Sequence, residues 1–280
     1  MSDATTTIER TATSGTGDGR TGMYVWHDLF TTDQKAAEAF YGALFGWTIT
    51  VMPMPGADWA YDVLENEGQG FGGCMPLFEG MNDGKPYWVP YISLPGATGG
   101  GREAVQAAVE RAAAHGATVV RQPEEIPTVG HFAAIVDADG NLTNPFDPTP
   151  PAGGMPPLPE GMPPLGGITW HEIWVNDLDA AKELYASVYG WDIRDSGMPG
   201  MRYLLCHDGD RMQGGLGCTE GRMPATTVFY VHVADVEAAM AKVVELGGTT
   251  EGPTMDVPDI GRMQWARDPQ GAQFCLHQGV

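Results

Sequence analysis

Apolar residues along the first third of the chain alternate between the spacing of strands and that of helices. The run "MYVWHDLF", which begins at Met23, is rich in aromatic and branched residues and predicts a strand. Thr32 or Asp33 then offers a helix N-cap, and apolar side chains recur at helical spacing until Gly46. Three shorter strand patterns, "WTITV", "WAYDVL" and "GFGGCMPL", complete a strand–helix–three-strand unit by residue 78.

Three further units of the same kind follow. "YWVPYISL" at 87–94 predicts a strand, and "REAVQAAVERAAAH" at 102–115 predicts an amphipathic helix that precedes three more strands. From residue 168 the same order recurs twice, with helix patterns at about 178–189 and in "DVEAAMAKVVEL". The pattern therefore predicts an α+β protein made of four strand–helix–three-strand modules.

The two halves of the chain are copies of each other. At a shift of 144 residues, "WHDLFTTDQKAAEAFYGALFGWTIT" (26–50) aligns with "WHEIWVNDLDAAKELYASVYGWDIR" (170–194), and the alignment continues without a gap to Cys74. Later the shift becomes 131, so that "IPTVGHF" (126–132) matches "VPDIGRM" (257–263). A repeat of this length indicates two copies of one domain, so each site in one copy should have a counterpart in the other.

Composition marks the boundaries of these domains. Residues 1–21 are polar and rich in Thr, Gly and Ser, which predicts a disordered tail. Residues 148–167 hold eight of the 22 prolines and predict a semi-rigid linker with polyproline character. The predicted domains are therefore 22–147 and 168–280.

Charge and composition exclude several classes of partner. The formal net charge of −21 argues against nucleic acid and anionic membranes, which bind basic patches. The chain has no apolar stretch of about 18 residues that would predict a membrane span, and its N-terminus lacks a signal-peptide pattern. Its four cysteines show no CxxC pair and no disulfide spacing, so we expect a reduced, cytoplasmic protein.

The four strand–helix–three-strand modules, two in each domain, resemble those of the vicinal oxygen chelate superfamily. This superfamily includes glyoxalase I, extradiol dioxygenases, fosfomycin-resistance enzymes and bleomycin-binding proteins. The resembling elements are the first strand with "TTDQKAAEAFYGALFGW" or "NDLDAAKELYASVYGW", and the closing turns "DADG" and "DPQG". W-x-[DE]-[LI] on the first strand is similar to a two-domain actinobacterial subgroup known as glyoxalase-like proteins or hydroxylases. The resemblance implies two tandem domains, each a half-barrel of two modules with its helices outside, but the scaffold hosts several chemistries.

The residues that bind a divalent metal in this superfamily are missing here. The resemblance places the first-strand ligand at Trp26 and Trp170, and an indole N–H can only donate. The other matched positions are Asn144 and Cys275 on the last strands, Pro90 and Phe229 on the middle strands, and the segments "GGCM" and "LGCT", which hold no His or carboxylate. We therefore expect no cofactor, and a divalent metal is disfavoured.

Strand alternation predicts which side chains line each cavity. If the first-strand tryptophans face inward, His27 and His171 turn toward the helix layer, where a hydrogen bond beneath the helix is expected. The predicted cavity residues are Trp26, Asp28 and Phe30 in the first domain, and Trp170, Glu172, Trp174 and Phe229 in the second. Aromatic walls suit a flat apolar ligand, and a carboxylate could orient it or act as a base.

The leading hypothesis is metal-independent binding of a hydrophobic or aromatic small molecule, as in bleomycin resistance, or an accessory role in secondary-metabolite biosynthesis. A biosynthetic enzyme is then the candidate protein partner. The alternative is an enzyme, either glyoxalase-like or of the hydroxylase or dioxygenase type. Its metal ligands would be displaced, or Asp28 and Glu172 would serve as general bases. A third interpretation has both half-barrels filled by their own side chains.

Overall fold

Two eight-stranded mixed sheets, one from each half of the sequence, form the protein. The computed structural model describes residues 21–95, 101–150 and 161–280. The elements of the first half are β1 Tyr24–Thr31, α1 Gln34–Phe45, β2 Thr48–Pro53, β3 Ala60–Asn66, β4 Gln69–Pro76, β5 Tyr87–Ser93, α2 Gly101–Ala114, β6 Thr118–Ile126, β7 Gly130–Val136 and β8 Leu142–Pro148. Those of the second half are β9 Ile168–Val175, α3 Leu178–Tyr189, β10 Asp192–Asp195, β11 Tyr203–Asp208, β12 Arg211–Cys218, β13 Thr226–His232, α4 Val236–Glu245, β14 Thr249–Val257, β15 Gly261–Arg267 and β16 Gln273–Gly279.

Both sheets have the same strand order. The first runs β2-β3-β4-β1-β5-β8-β7-β6, and the second runs β10-β11-β12-β9-β13-β16-β15-β14. The opening strands of the two modules pair antiparallel at the centre of each sheet, as β1 with β5 and β9 with β13. This confirms the predicted α+β architecture of two tandem domains, each built from two modules.

The helices begin and end where the sequence predicts. Asp33 caps α1 by accepting a hydrogen bond from the Ala36 backbone N–H at 3.0 Å, and Asp177 caps α3 in the same way. Gly46 and Gly190 end these helices in the left-handed conformation, with φ of 77° and 71°, which glycine adopts without steric cost.

The back faces of the two sheets and the four helices form two cores that both domains share. The second module of the first domain packs with the first module of the second domain, where α2 lies against α3. The first module of the first domain packs in the same manner with the last module, around Phe40, Trp47, Phe229 and Phe274. The helices thus lie outside each half-barrel but between the domains, which fixes the domains relative to each other.

Hydrogen bonds cross between the domains in equivalent pairs. Each hydroxyl of two equivalent tyrosines donates to the turn aspartate of the other domain, and each of two equivalent indoles donates to a backbone carbonyl. The pairs are Tyr41 with Asp268 (3.1 Å), Tyr185 with Asp137 (2.9 Å), Trp47 with Gly166 (2.8 Å) and Trp191 with Gly22 (2.9 Å). The domains are therefore related by a pseudo-twofold axis.

The strand register corrects the gapless repeat. Asp28 lies opposite Gly73 on β4, whereas its counterpart Glu172 lies opposite Gly215 on β12. The β3–β4 hairpin therefore corresponds to β11–β12 at a shift of 142, not 144. Because the shift is still 144 at the helices, two residues are missing from the second copy between the equivalents of 48 and 60. In this hairpin, glycines align with glycines at a shift of 144 as well as at 142, so the sequence comparison did not show the deletion.

Most of the predicted tail and linker lies outside the described residues. This applies to residues 1–20 of the tail and to 151–160 of the linker. The end of the predicted linker joins the second domain, because His232 on β13 exchanges backbone hydrogen bonds with Gly166 and Gly167 at 2.9 and 2.8 Å. Within the described part of the chain, no helix combines the length and apolarity needed to cross a membrane.

Candidate functional site

A buried carboxylate lies at the centre of the first sheet. Asp28 on β1 is 2% exposed, and its two oxygens accept hydrogen bonds from the Tyr61 hydroxyl at 2.7 Å and the Tyr91 hydroxyl at 2.8 Å. The Trp26 indole N–H lies 2.6 Å from the Tyr61 oxygen and 3.1 Å from Asp28 Oδ1. We call these four residues, Trp26, Asp28, Tyr61 and Tyr91, the Asp28 cluster.

The second sheet carries an equivalent arrangement. Glu172 on β9 accepts hydrogen bonds from the hydroxyls of Tyr203 at 2.7 Å and Tyr230 at 2.6 Å, and from the indole N–H of Trp174 at 2.8 Å. The Trp170 indole donates to the Tyr203 oxygen at 2.9 Å. We call these five residues, Trp170, Glu172, Trp174, Tyr203 and Tyr230, the Glu172 cluster.

A glycine beside each carboxylate leaves room for the tyrosine that binds it. A Cβ at Gly73 would collide with the Tyr61 hydroxyl, and one at Gly215 would collide with that of Tyr203. These glycines therefore admit the tyrosine rings to the carboxylates through close approach rather than through an unusual backbone angle.

The structure brings together most of the residues that the sequence analysis singled out. Trp26 and Asp28 meet in one cluster, and Trp170, Glu172 and Trp174 meet in the other. Phe30 lies farther along β1 and stacks on Tyr87 of β5, with ring centroids 5.3 Å apart, so it extends the aromatic surface without touching the carboxylate.

Phe229 does not face the Glu172 cluster, so its predicted place is wrong. It pairs with His171 in the sheet and points into the shared core, 4.9 Å from the Trp88 ring and 5.5 Å from the His27 ring. Its neighbour Tyr230 pairs with Trp170 and faces Glu172. The position matched from the resemblance was one residue off.

Sequence reasoning missed the four tyrosines that bind the carboxylates. Tyr91 follows the matched position Pro90 as Tyr230 follows Phe229, so a one-residue change of register would have identified both. Tyr61 and Tyr203 are equivalent only at the shift of 142, which the gapless alignment hid. The recurrence of tyrosine at both positions was the available signal.

Burial and hydrogen bonding act on the two carboxyl groups in opposite directions. Burial raises the pKa of Asp28 and of Glu172 above their ordinary values, although the hydroxyl and indole donors favour the ionised form and partly offset this. Burial, followed by the charge of Asp28, also raises the pKa of Tyr61. The clusters therefore hold proton-accepting groups of raised basicity inside an aromatic shell.

The donor set of these clusters does not fit a divalent cation. Such an ion needs three or four nitrogen or oxygen ligands, whereas each cluster offers one carboxylate with O–H and N–H groups directed at its oxygens. In the ranges that the structure describes, no group of three or more His, Cys, Asp or Glu side chains is arranged to hold a metal.

The two clusters differ at the last strand of each sheet. Asn144 on β8 pairs with Tyr91 and therefore shares its face, and Cys275 on β16 pairs with Tyr230 in the same way. Asn144 is 4% exposed and its Oδ1 has no hydrogen-bond partner, whereas the Cys275 thiol lies 3.5 Å from the Leu276 carbonyl. An unpaired buried acceptor costs about 1–3 kcal/mol, so at this strand position the Asp28 cluster has an unpaired acceptor and the Glu172 cluster has none.

The two strand histidines turn away from the carboxylates, as strand alternation predicts, but they do not bond beneath a helix. His27 Nε2 lies 2.7 Å from His171 Nε2, and His27 Nδ1 lies 3.1 Å from the Phe71 carbonyl. The Tyr24 ring stacks on His171 with centroids 3.8 Å apart. Burial lowers the pKa of His27 to about 4 and that of His171 well below its ordinary value.

Two family models match the sequence. Residues 22–144 match the Glyoxalase/Bleomycin resistance protein/Dioxygenase superfamily, and residues 171–277 match a glyoxalase-like domain. Similar proteins include "Putative glyoxylase CFP32" of Mycobacterium bovis, which is 30% identical over 264 residues, 92% of this chain and 95% of that protein. "Anthracycline biosynthesis protein DnrV" of Streptomyces peucetius is 29% identical over 268 residues, 91% of this chain and 92% of that one.

Solved structures share the fold at low sequence identity. The Mn(II)-bound glyoxalase from Novosphingobium aromaticivorans has a TM-score of 0.59 at 12% identity, over 93% of this chain and 83% of that one. The 2,2',3-trihydroxybiphenyl 1,2-dioxygenase from Sphingomonas wittichii has a TM-score of 0.58 at 12% identity, over 93% and 91%. At this identity the likeness shows the fold alone.

Proposed function

This protein belongs to the glyoxalase/bleomycin resistance protein/dioxygenase superfamily, and on that premise we propose that it binds an aromatic small molecule without the help of a metal. The observation that carries this proposal is the pair of buried carboxylates, Asp28 and Glu172, each bound by two tyrosines and flanked by tryptophan. A carboxylate inside an aromatic shell suits a flat ligand with a polar edge.

The donor set supports a binding role that needs no cation. Tyrosine hydroxyls and indole N–H groups can donate to ligand oxygens as they now donate to the carboxylates, and their rings offer stacking surfaces. Because Asp28 and Glu172 are 2% and 7% exposed, a ligand reaches them only when aromatic side chains at the edge of the cluster turn aside. We therefore expect binding to be accompanied by rearrangement of these rings.

One of the similar proteins supports this ligand class. The name of the Streptomyces peucetius protein assigns it to anthracycline biosynthesis, and anthracyclines are built on a fused-ring aromatic system. We propose that the present chain takes a related class of ligand, a fused-ring aromatic with hydroxyl or keto groups, either to sequester it or to assist a biosynthetic enzyme.

Tryptophan fluorescence offers a direct test. The full chain is titrated with 2-naphthol, 2-methoxynaphthalene and 1,4-dihydroxyanthraquinone, and saturable quenching is expected from at least one of them. Trp26→Phe or Trp170→Phe should lose part of this response, and the variant that loses it identifies the domain that binds the probe. Trp59→Phe is the matched control, because Trp59 is not a member of either cluster and its ring packs on Phe78. Absence of saturable quenching in folded protein would refute the proposal.

A catalytic function is the second candidate, and the raised pKa of both buried carboxyl groups favours it. Asp28 or Glu172 could accept a proton from a bound ligand, as a general base does. Turnover of a bound probe, followed by mass spectrometry, would reveal this activity. The variants Asp28→Asn and Glu172→Gln should then lower the rate by about 10²–10⁴-fold while binding persists.

A further inference from the structure

We propose that the ligand binds in the first domain alone, and that it is a neutral hydroxylated aromatic whose hydroxyl donates a hydrogen bond to Asn144 Oδ1. This inference rests on the proposed function and names the place and the chemistry of the ligand. It concerns one acceptor that the fold leaves without a partner.

Asn144 occupies a strand position whose side chain faces the proposed binding site. Its strand β8 runs parallel to β5, and Asn144 pairs with Tyr91, whose hydroxyl binds Asp28. Asn144 therefore projects from the same face of the sheet as the Asp28 cluster. Its Oδ1 is buried and has no hydrogen-bond partner, and buried acceptors in native proteins are nearly always paired. A donor on a bound molecule would pair it.

The surrounding rings suit an aromatic ligand. Tyr91 packs against Phe132 and Phe146, with ring centroids at 5.5 and 5.9 Å, and the partly exposed Trp26 ring joins this group. A flat ligand that stacks on Trp26 or these rings would lie on the face of the sheet from which Asn144 and Asp28 both project.

The charges at this face favour a neutral ligand. Asp28 contributes a carboxylate, which repels an anion. The Arg121 guanidinium lies 4.9 Å from the centre of the Phe132 ring, but it already forms an ion pair with Glu124 at 2.7 Å. It therefore supplies no uncompensated positive charge for a carboxylate or a phosphate, whereas a phenol needs none.

The second domain lacks this feature. Cys275 replaces the asparagine, and its buried thiol has a carbonyl neighbour. Trp174 and Trp265 also pack edge to face there at 6.1 Å, and Trp174 donates to Glu172. The Glu172 cluster thus has no unpaired acceptor at this position, whereas the Asp28 cluster has one, Asn144 Oδ1, that a ligand donor can pair.

Calorimetry with two matched probes tests the proposal on the full chain. 2-Naphthol carries a donor hydroxyl, and 2-methoxynaphthalene has the same rings without a donor. We expect one 2-naphthol per chain, bound at least about tenfold more tightly than the ether, because a site built around a hydroxyl rejects an analogue that lacks it.

Two variants identify the residue. Asn144→Leu should lose most of the preference for 2-naphthol while the melting temperature stays equal or rises, since no native hydrogen bond to Oδ1 is removed. Cys275→Ala, at the equivalent position of the second domain, should leave both affinities unchanged. Asn144→Ala gives the same readout if the leucine does not fit.

Three outcomes would overturn the inference while the proposed function stands. They are two equal sites per chain, an undiminished preference for 2-naphthol in both Asn144 variants, and loss of the preference in Cys275→Ala instead. If no aromatic probe binds the wild-type chain, the proposed function itself fails and this inference fails with it.

Discussion

The Nε2 atoms of His27 and His171 lie 2.7 Å apart, so equivalent residues of the two domains bond each other on the pseudo-twofold axis. His27 Nδ1 must donate to the Phe71 carbonyl, because a carbonyl can only accept. His27 Nε2 is then the acceptor, and His171 Nε2 carries the proton between the rings. The arrangement holds when both imidazoles are neutral.

Acid should weaken the protein through this pair. Burial lowers the pKa of His27 to about 4 from 6.5, so the unfolded chain binds more protons than the folded one between these values. Above pH 6.5 both histidines are neutral in the folded and unfolded chain, and they do not reduce the free energy of unfolding. As the pH falls from 6.5 toward 4, this free energy decreases by up to about 1.4 kcal/mol per pH unit for each histidine. Denaturant titrations across this range measure the slope.

The double variant His27→Gln with His171→Gln isolates this contribution. Asp28 and Glu172 have raised pKa values, so their ionisation opposes folding as the pH rises, which is the opposite sign. Both proteins retain these carboxyl groups, and the difference between their two profiles reports the histidines. Parallel profiles for wild type and variant would contradict the prediction.

Loss of a tyrosine hydroxyl should leave a buried carboxylate short of a donor. Tyr61→Phe and Tyr203→Phe should each lower the free energy of unfolding by about 1.5–3 kcal/mol, the range for hydrogen bonds to charged groups. Tyr87→Phe is the control, because Tyr87 stacks on Phe30 at the same face without touching Asp28. Urea denaturation measures the free energy of unfolding of all three variants. An equal loss in Tyr87→Phe would contradict the view that the hydrogen bonds to the carboxylates stabilise the protein.

The two domains should unfold in a single transition. Each core contains residues of both domains, so neither domain can lose its packing alone. Tyr41→Phe, which removes the bond to Asp268, should lower the midpoint of the whole transition. A double-mutant cycle with Asp268→Asn should give a coupling of about 0.5–3 kcal/mol. Near-UV and far-UV circular dichroism should follow one curve, and separate transitions would disprove the shared cores.

Chelators should not affect ligand binding. The carboxylates accept O–H and N–H donors at 2.6–3.1 Å, and this arrangement does not present a set of ligands to a cation. Protein purified without chelator should hold no stoichiometric metal by elemental analysis, and its affinity for 2-naphthol should be the same with and without EDTA. Stoichiometric manganese, nickel, iron or zinc would refute the donor-set argument.

The sequence predicts what depends on local pattern. Asp33 and Asp177 could be assigned as caps because a cap acts within one turn of helix, and Trp26 and Asp28 share a face because alternation is a property of a single strand. Features that depend on the pairing of strands are harder to predict from the sequence. Phe229 was misplaced by one residue next to a register shift in β13, and only the register reveals the equivalence of Tyr61 and Tyr203.

The contact between His27 and His171 depends on how whole domains pack. The residue pattern of neither strand predicts this contact, because the two residues lie 144 positions apart and belong to different sheets. The unpaired Asn144 is similar in this respect. Its position could be matched by sequence, but the absence of a partner follows only from the side chains that surround it.

The pseudo-twofold arrangement has a consequence for either half taken separately. A polypeptide that stops at residue 150 would expose to water the apolar face that Ile92 and Val105 now share with Ile173 and Leu184. Burying such a face is the main driving force of association, and a surface that fits its own copy closes into a symmetric pair. The first domain on its own should therefore form a homodimer in which His27 of one copy contacts His27 of the other.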